Sequence, residues 1–270
     1  MATAAALGAA PSTLAWESTL MLRLRIDSKT YPHPNPNLDP KKLAQKSSTR
    51  PLFKQFELSL APGELLCLLG PSGCGKSSLL QMIAGLDPDF KGCLELSAES
   101  ESISYMFQQP RLLPWRTLRQ NLALVIAPDH YHRIEPLVAA MGLSAYVDAY
   151  PGSLSLGMAR RAALARSLIV EPTLILMDEP FVSLDPPTVK EMHRLVNRLR
   201  QMRPQTAILF VTHDLREAIT LADRILVLGG QPTRILHQWR GKLPQQERDP
   251  RYQTEQMLEL RGIDGLDDWQ

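Results

Sequence analysis

Cysteine is scarce, aromatics are few and neither sign of charge dominates, and each shortage narrows what this chain does. Cys67, Cys74 and Cys93 are an odd number without metal-type spacing. That excludes a disulfide framework and a structural zinc site, and it makes a reducing, cytosolic compartment the expectation. A formal net charge of +2 over 270 residues leaves no electrostatic footprint for nucleic acid and no polybasic membrane anchor. No apolar run approaches the roughly 18 residues of a membrane-spanning helix; LLCLL (Leu65 to Leu69) and TLILM (Thr173 to Met177) are only strand-sized. The opening MATAAALGAAPSTLAWE is alanine-rich but has no basic segment, which argues against a secretory signal. What is present is an ordinary apolar fraction of 44%, enough to bury a core.

Periodicity divides the rest. MLRLRI (Met21 to Ile26) alternates apolar and basic residues as a half-exposed edge strand does, and FKQFELSL alternates again before a Pro-Gly turn. Between them, Tyr31 to Pro51 is a run of prolines, asparagines and lysines that reads as a long connection. LLCLL, TLILMD, TAILFVT and RILVLGG read as buried strands, the last of them the final strand. KSSLLQMIAGL and PPTVKEMHRLVNRLRQM carry helical periodicity, and Leu112 to Ile169 holds helical stretches without a convincing buried strand. Buried strands alternating with helices predict an α/β fold on a mostly parallel sheet, interrupted by a helical insertion.

The chemistry begins at GPSGCGKSS. Gly70, Pro71, Ser72, Gly73, Cys74, Gly75, Lys76 and Ser77 fit G-x-x-x-x-G-K-[ST], followed by Ser78, between a predicted strand and a predicted helix. Glycines let backbone N–H groups curl round a phosphate, and the helix start adds a positive dipole end. Lys76 is expected to reach the terminal phosphates of ATP and Ser77 to ligate Mg²⁺. Asp178 and Glu179 close the strand LILMDEP, where Asp178 would hold the ion and Glu179 polarise the attacking water; an acidic pair capping a strand is the plainer alternative. His213 ends the next strand and Gln108 ends another, in YMFQQP. His213 is expected to face the same phosphate, although a lone His is more often structural; the Gln108 amide could touch both Mg²⁺ and water, although a Gln alone carries no signal.

In order, the P-loop, FQQ, LSLGM (Leu154, Ser155, Leu156, Gly157, Met158), LILMDEP, SLD ending in Asp185, and VTHD resemble the ATP-binding subunit of ABC transporters. RLLPWRTLRQNLAL and Met158 look most like the nitrate, sulfonate and taurine importers. The resemblance implies a RecA-like P-loop NTPase core with an antiparallel β edge and an inserted helical subdomain. It places a cassette at residues 21–240, the helical subdomain at about 110–168, an N-terminal extension at 1–20 expected to be flexible, and a C-terminal extension at 241–270. It also implies an ATPase on the cytoplasmic face of the membrane, partnered by a second cassette (a homodimer), by transmembrane permease subunits and indirectly by a solute-binding protein, with no nucleic acid. Ser155 and the Gly157 amide would act in trans on the partner's nucleotide.

Four readings stay open at this level. Leu156 stands where the family has glycine: a tolerated variant, or a weakened site if the turn needs a positive φ. Tyr31 would stack on adenine, or it sits at a loop edge on a route lengthened by the proline-rich insert. Trp115 lies where the subdomain would meet a permease, or it is a core tryptophan. Asp185 faces the opposite P-loop, or it caps the helix that follows. Two other functions compete with transport: a nucleic-acid or ribosome-associated ATPase, and a nucleotide-binding regulator without useful turnover.

Overall fold

The computed structural model describes residues 20–32, 49–97 and 102–261. The N-terminal extension, most of the proline-rich insert and the last nine residues lie outside them.

Four strands made mostly of Leu, Ile, Val and Met sit at the centre. These are β3 (Leu65–Leu69), β6 (Leu174–Asp178), β7 (Ala207–Thr212) and β8 (Arg224–Gly229), and every residue in each is buried. Continuous apolar strands of this kind suit a sheet covered on both faces. With β5 (Ile103–Met106) and β9 (Arg234–Arg240) they form one sheet in the order β5-β6-β7-β3-β8-β9. Its pairs are parallel except β8 with β9. RILVLGG is therefore not the final strand: β9 returns beside it, and only Trp239 of β9 is buried, so the segment lacks the apolar run that marks the others.

Alternate residues of β3 face two different cores. Leu65, Cys67 and Leu69 pack with the helical side, and Leu66 and Leu68 pack under an antiparallel sheet. That second sheet has the order β2-β1-β4, from β1 (Leu22–Pro32), β2 (Thr49–Leu60) and β4 (Lys91–Leu96). The expectation of an edge strand at Met21 to Ile26 is overturned, because β1 pairs on both sides. Alternation with arginine marks an exposed face, with Leu22, Leu24 and Ile26 buried below it; it carries no information about an exposed edge. Tyr31 pairs with Arg50, and Pro32 with Thr49, where β1 meets β2. Tyr31 itself lies beside the P-loop, its hydroxyl 3.4 Å from Ser78 Oγ.

The helices are α1 (Lys76–Ile83), α2 (Leu118–Ala123), α3 (Ile134–Ala140), α4 (Leu156–Leu168), α5 (Pro186–Met202), α6 (Leu215–Leu221) and α7 (Pro250–Arg261). Between β5 and β6 the regular elements are helical, giving the inserted subdomain that the strand-poor text predicts. Thr117 and Gln120 start α2 with a reciprocal capping box. α7 is tied down: the Trp239 indole donates to Gln256 at 2.9 Å, and Arg248 donates to the carbonyls of Ile219 and Ala222 at 2.8 and 2.7 Å. The described part of the C-terminal extension, residues 241–261, is thus built onto the sheet edge and α6. Among the described residues no helix is long and apolar enough to cross a membrane.

Candidate active site

The loop from Gly70 to Gly75 joins the C-terminal end of β3 to α1, the position where open α/β sheets bind ligands. Two of its glycines are obligatory for separate reasons. A Cβ on Gly70 would lie 2.9 Å from the Leu228 carbonyl oxygen, and Gly75 both holds φ +97° and would press a Cβ into the Phe53 ring at 2.7 Å. Gly75 caps α1 without a side-chain acceptor, and the first turn holds no acidic residue. The N–H groups of that turn are left for an anion. Lys76 is buried and its Nζ donates to the carbonyls of Gly70 and Pro71 at 2.6 and 3.0 Å. The ammonium is thereby folded back over the loop it belongs to. Cys74 lies under the loop, where burial pushes its thiol up and away from thiolate chemistry.

The acidic strand end comes to the same place. Ser77 Oγ donates to Asp178 Oδ1 at 2.9 Å, and the Tyr105 hydroxyl donates to Asp178 Oδ2 at 3.2 Å. Burial raises the Asp178 carboxyl above its ordinary range and the Glu179 charge adds to that, against the pull of both hydroxyls and of Lys76. Tyr105 is raised in turn, by burial and by the Asp178 charge.

Glu179 turns out of β6 at φ +44°, a left-handed conformation costly for a residue with a Cβ. Its carboxylate is bracketed, with Gln108 Nε2 donating to Oε2 at 3.0 Å and His213 Nδ1 lying 3.4 Å from Oε1. The bracket follows from strand order: β5, β6 and β7 are neighbours, so residues just past their C-terminal ends converge. Beside the P-loop a cavity of about 500 Å³ opens between Tyr31, Arg50, Leu52, Gly73 and Gln231. The Tyr31 hydroxyl donates to Asp87 at 2.7 Å, which fixes the ring against this space.

A second group stands apart. Ser155 caps α4 by accepting from the Met158 N–H at 3.3 Å, with Leu156 as the first helical residue. Leu156 is not among the residues with positive φ and its side chain is 45% exposed, so the native turn imposes no strain on it. Leu154 is half-buried, and Met158 packs on the core. Gly157 is needed for contact: a Cβ there would lie 2.7 Å from Thr188 Cγ2. Thr188 is itself held by Asp185, which accepts its N–H at 3.1 Å and its hydroxyl at 2.7 Å. Asp185 is therefore the N-cap of α5. Among the described residues no hydrogen bond joins Leu154–Met158 or Asp185 to Gly70–Ser78 in the same chain.

A family model described as ABC transporter matches residues 53–182. An aliphatic sulfonates import ATP-binding protein of Pseudomonas savastanoi pv. phaseolicola is 43% identical over 202 residues, 74% of this chain and 84% of that protein. Its counterpart in Burkholderia lata is 37% identical over 265 residues, 94% of this chain and 89% of that protein. The chain belongs to the ABC transporter family. As an ABC cassette it binds and hydrolyses ATP. The dimeric post-hydrolysis structure of the ATP-binding cassette MJ0796, bound to ADP and Pi, shares the fold with a TM-score of 0.67. At 24% identity it covers 83% of this chain and 100% of its own.

Sequence reasoning missed several polar residues of this ABC cassette's site. Tyr105 gave no signal, because its contact with Asp178 depends on β5 lying beside β6. Thr212 and Glu217 were also silent. Thr212 Oγ1 donates to Glu217 Oε2 at 2.5 Å and accepts the Asp214 N–H at 3.0 Å, which braces the turn bearing His213. Burial pushes the Glu217 carboxyl up to about 7. Arg160, one turn into α4, donates through Nη1 to the carbonyls of Glu179 and Pro180 at 3.0 and 2.7 Å.

Proposed function

We propose that this cassette drives import of a small organic anion, of the aliphatic sulfonate class, through a separate permease, by hydrolysing ATP held between two cassettes. The observation that carries the catalytic part is the Glu179 carboxylate bracketed by Gln108 and His213, next to an Asp178 already joined to the P-loop serine. Lys76 and the amides of Gly73 to Ser77 bind the phosphate chain, and Tyr31 covers the base from the cavity beside the loop. Ser77 and Asp178 offer adjacent hard oxygen donors, the set that suits Mg²⁺ with phosphate and water completing the shell. Held by Ser77 and Asp178, Mg²⁺ would supply positive charge to offset the negative charge that develops on the phosphates. Glu179 orients the attacking water, Gln108 fixes one carboxylate oxygen, and His213 faces the terminal phosphate from the neighbouring strand end.

The isolation of Ser155 and Gly157 from the chain's own P-loop supports their acting on a partner's nucleotide. Ser155 is exposed at a helix N-terminus, where a hydroxyl and backbone N–H groups serve an anion. The sulfonate reading rests on what the relatives are called, aliphatic sulfonates import ATP-binding proteins. Trp115 supports the permease. It is 68% exposed, with Leu124, Val125, Tyr146 and Tyr150 of the helical subdomain also open to solvent. Exposed apolar groups of this kind suit a protein partner, and with a permease as that partner the cassette would work from the cytoplasmic face of the membrane. ATP turnover by the purified full chain tests the catalytic roles. Lys76→Ala and Glu179→Gln are each expected to lower kcat at least about 100-fold, and wild-type rates in both would overturn the assignment.

A further inference from the structure

Arg160 lies on the signature helix α4, is only 3% exposed, and spends its charge on backbone carbonyls instead of an ion pair. Those carbonyls belong to Glu179 and Pro180, the two residues by which the chain leaves β6. Glu179 is the residue held at φ +44°, and its own N–H donates to the Val211 carbonyl at 3.1 Å. The strained peptide is therefore fixed on one side by β7 and on the other by a guanidinium from α4. Arg160 Nε is buried without a hydrogen-bond partner among the described residues. Burial opposes its charge, while Glu217 and Glu179 support it. A core optimised for stability alone does not keep a half-satisfied buried cation.

We infer that Arg160 is a positioning residue, which links the engagement of Ser155 with the partner's nucleotide to the placement of Glu179 in its own chain. The inference rests on the catalytic reading given above. Ser155 caps the first turn of α4 and Arg160 is the fifth residue of that helix, so the two move as one rigid unit. When α4 seats against a phosphate, the guanidinium draws the Glu179 carbonyl with it and sets the carboxylate that Gln108 and His213 bracket. Glu217, whose charge faces Arg160 and whose carboxylate accepts from Thr212, extends the same buried network to the His213 turn. Each ATP site would then report its occupancy to the other, a coupling between sites carried by one helix.

The test compares Arg160→Met and Arg160→Lys with the wild-type full chain, measuring turnover against ATP concentration and, separately, equilibrium ATP binding. For Arg160→Met, kcat is expected to fall about tenfold or more, with the binding constant within about threefold of wild type and the Hill coefficient reduced towards one. Arg160→Lys keeps a charged donor and is expected to recover part of both kcat and cooperativity. It also keeps the test decisive should the methionine variant fold poorly. A merely structural role predicts lower thermal stability with kcat per folded molecule and the Hill coefficient unchanged, and that result overturns the inference. A wild-type chain without turnover, or an unimpaired Lys76→Ala chain, would overturn the parent reading as well; normal Arg160 variants beside an inactive Lys76→Ala chain would sink this inference alone.

Discussion

Ser77 Oγ donates to Asp178 Oδ1 at 2.9 Å although 101 positions separate the two residues. This bond joins the first turn of α1 to the end of β6, and it exists because β7 lies between β3 and β6 and the three run parallel. Their C-terminal ends open on one edge, so the phosphate loop and the acidic pair face a common space.

Asp178→Asn tests that pair. Mg²⁺-dependent turnover is expected to fall at least about 100-fold. The thermal midpoint at neutral pH is expected to hold or rise, because burial penalises the carboxylate that the substitution removes. A calorimetric scan beside a turnover assay checks both, and loss of folding together with loss of activity would count against a specifically catalytic role.

Leu156→Gly tests whether leucine weakens the signature motif. The backbone at Leu156 is helical and its side chain points partly to solvent, so glycine relieves no strain. Turnover is expected to stay within about twofold of wild type, with a small loss of stability from glycine in the first helical turn. A gain of tenfold or more would mean that the leucine crowds the nucleotide.

Much of the fold was legible because β3, β6, β7 and β8 are uninterrupted apolar runs bounded by turn residues. The P-loop was legible because its glycine spacing answers a steric need. The strand-end positions of Gln108, Glu179 and His213 were legible as well, but the closing of Gln108 and His213 on the Glu179 carboxylate appears only in the structure. β9 was missed because six of its seven residues are at least partly exposed, so it has no apolar signature. β1 was misplaced because alternation reports which face is buried and leaves open how many neighbours a strand has. Tyr105 and Arg160 were invisible for a related reason: each acts through one tertiary contact, and nothing in YMF or ARR signals a partner.

Glu217 supplies a pH signature. Its carboxyl is at about 7 in the folded chain against an ordinary 4.5. Between those values the folded state binds the proton more tightly than the unfolded state, so stability falls as pH rises through this window and stays lower above it. Thr212, Asp214, Glu179 and Arg160 are the groups acting on it. Glu217→Gln is expected to be more stable than wild type at pH 8, by an amount on the order of 2–3 kcal/mol, and nearly equal to it at about pH 4.5. Thermal melts across that range decide it, and a difference independent of pH would contradict the assignment.

In the proposed function ATP joins two copies of the chain, with Lys76 of one and Ser155 of the other on the same terminal phosphate. Sedimentation of the Glu179→Gln chain tests it most directly. With Mg²⁺ and ATP it should run at the mass of two chains, without nucleotide at the mass of one, and with Ser155→Arg added it should remain single even at saturating ATP. A Glu179→Gln chain that never pairs, or one that pairs equally well with Ser155→Arg added, would mean that two copies do not share the nucleotide in this way.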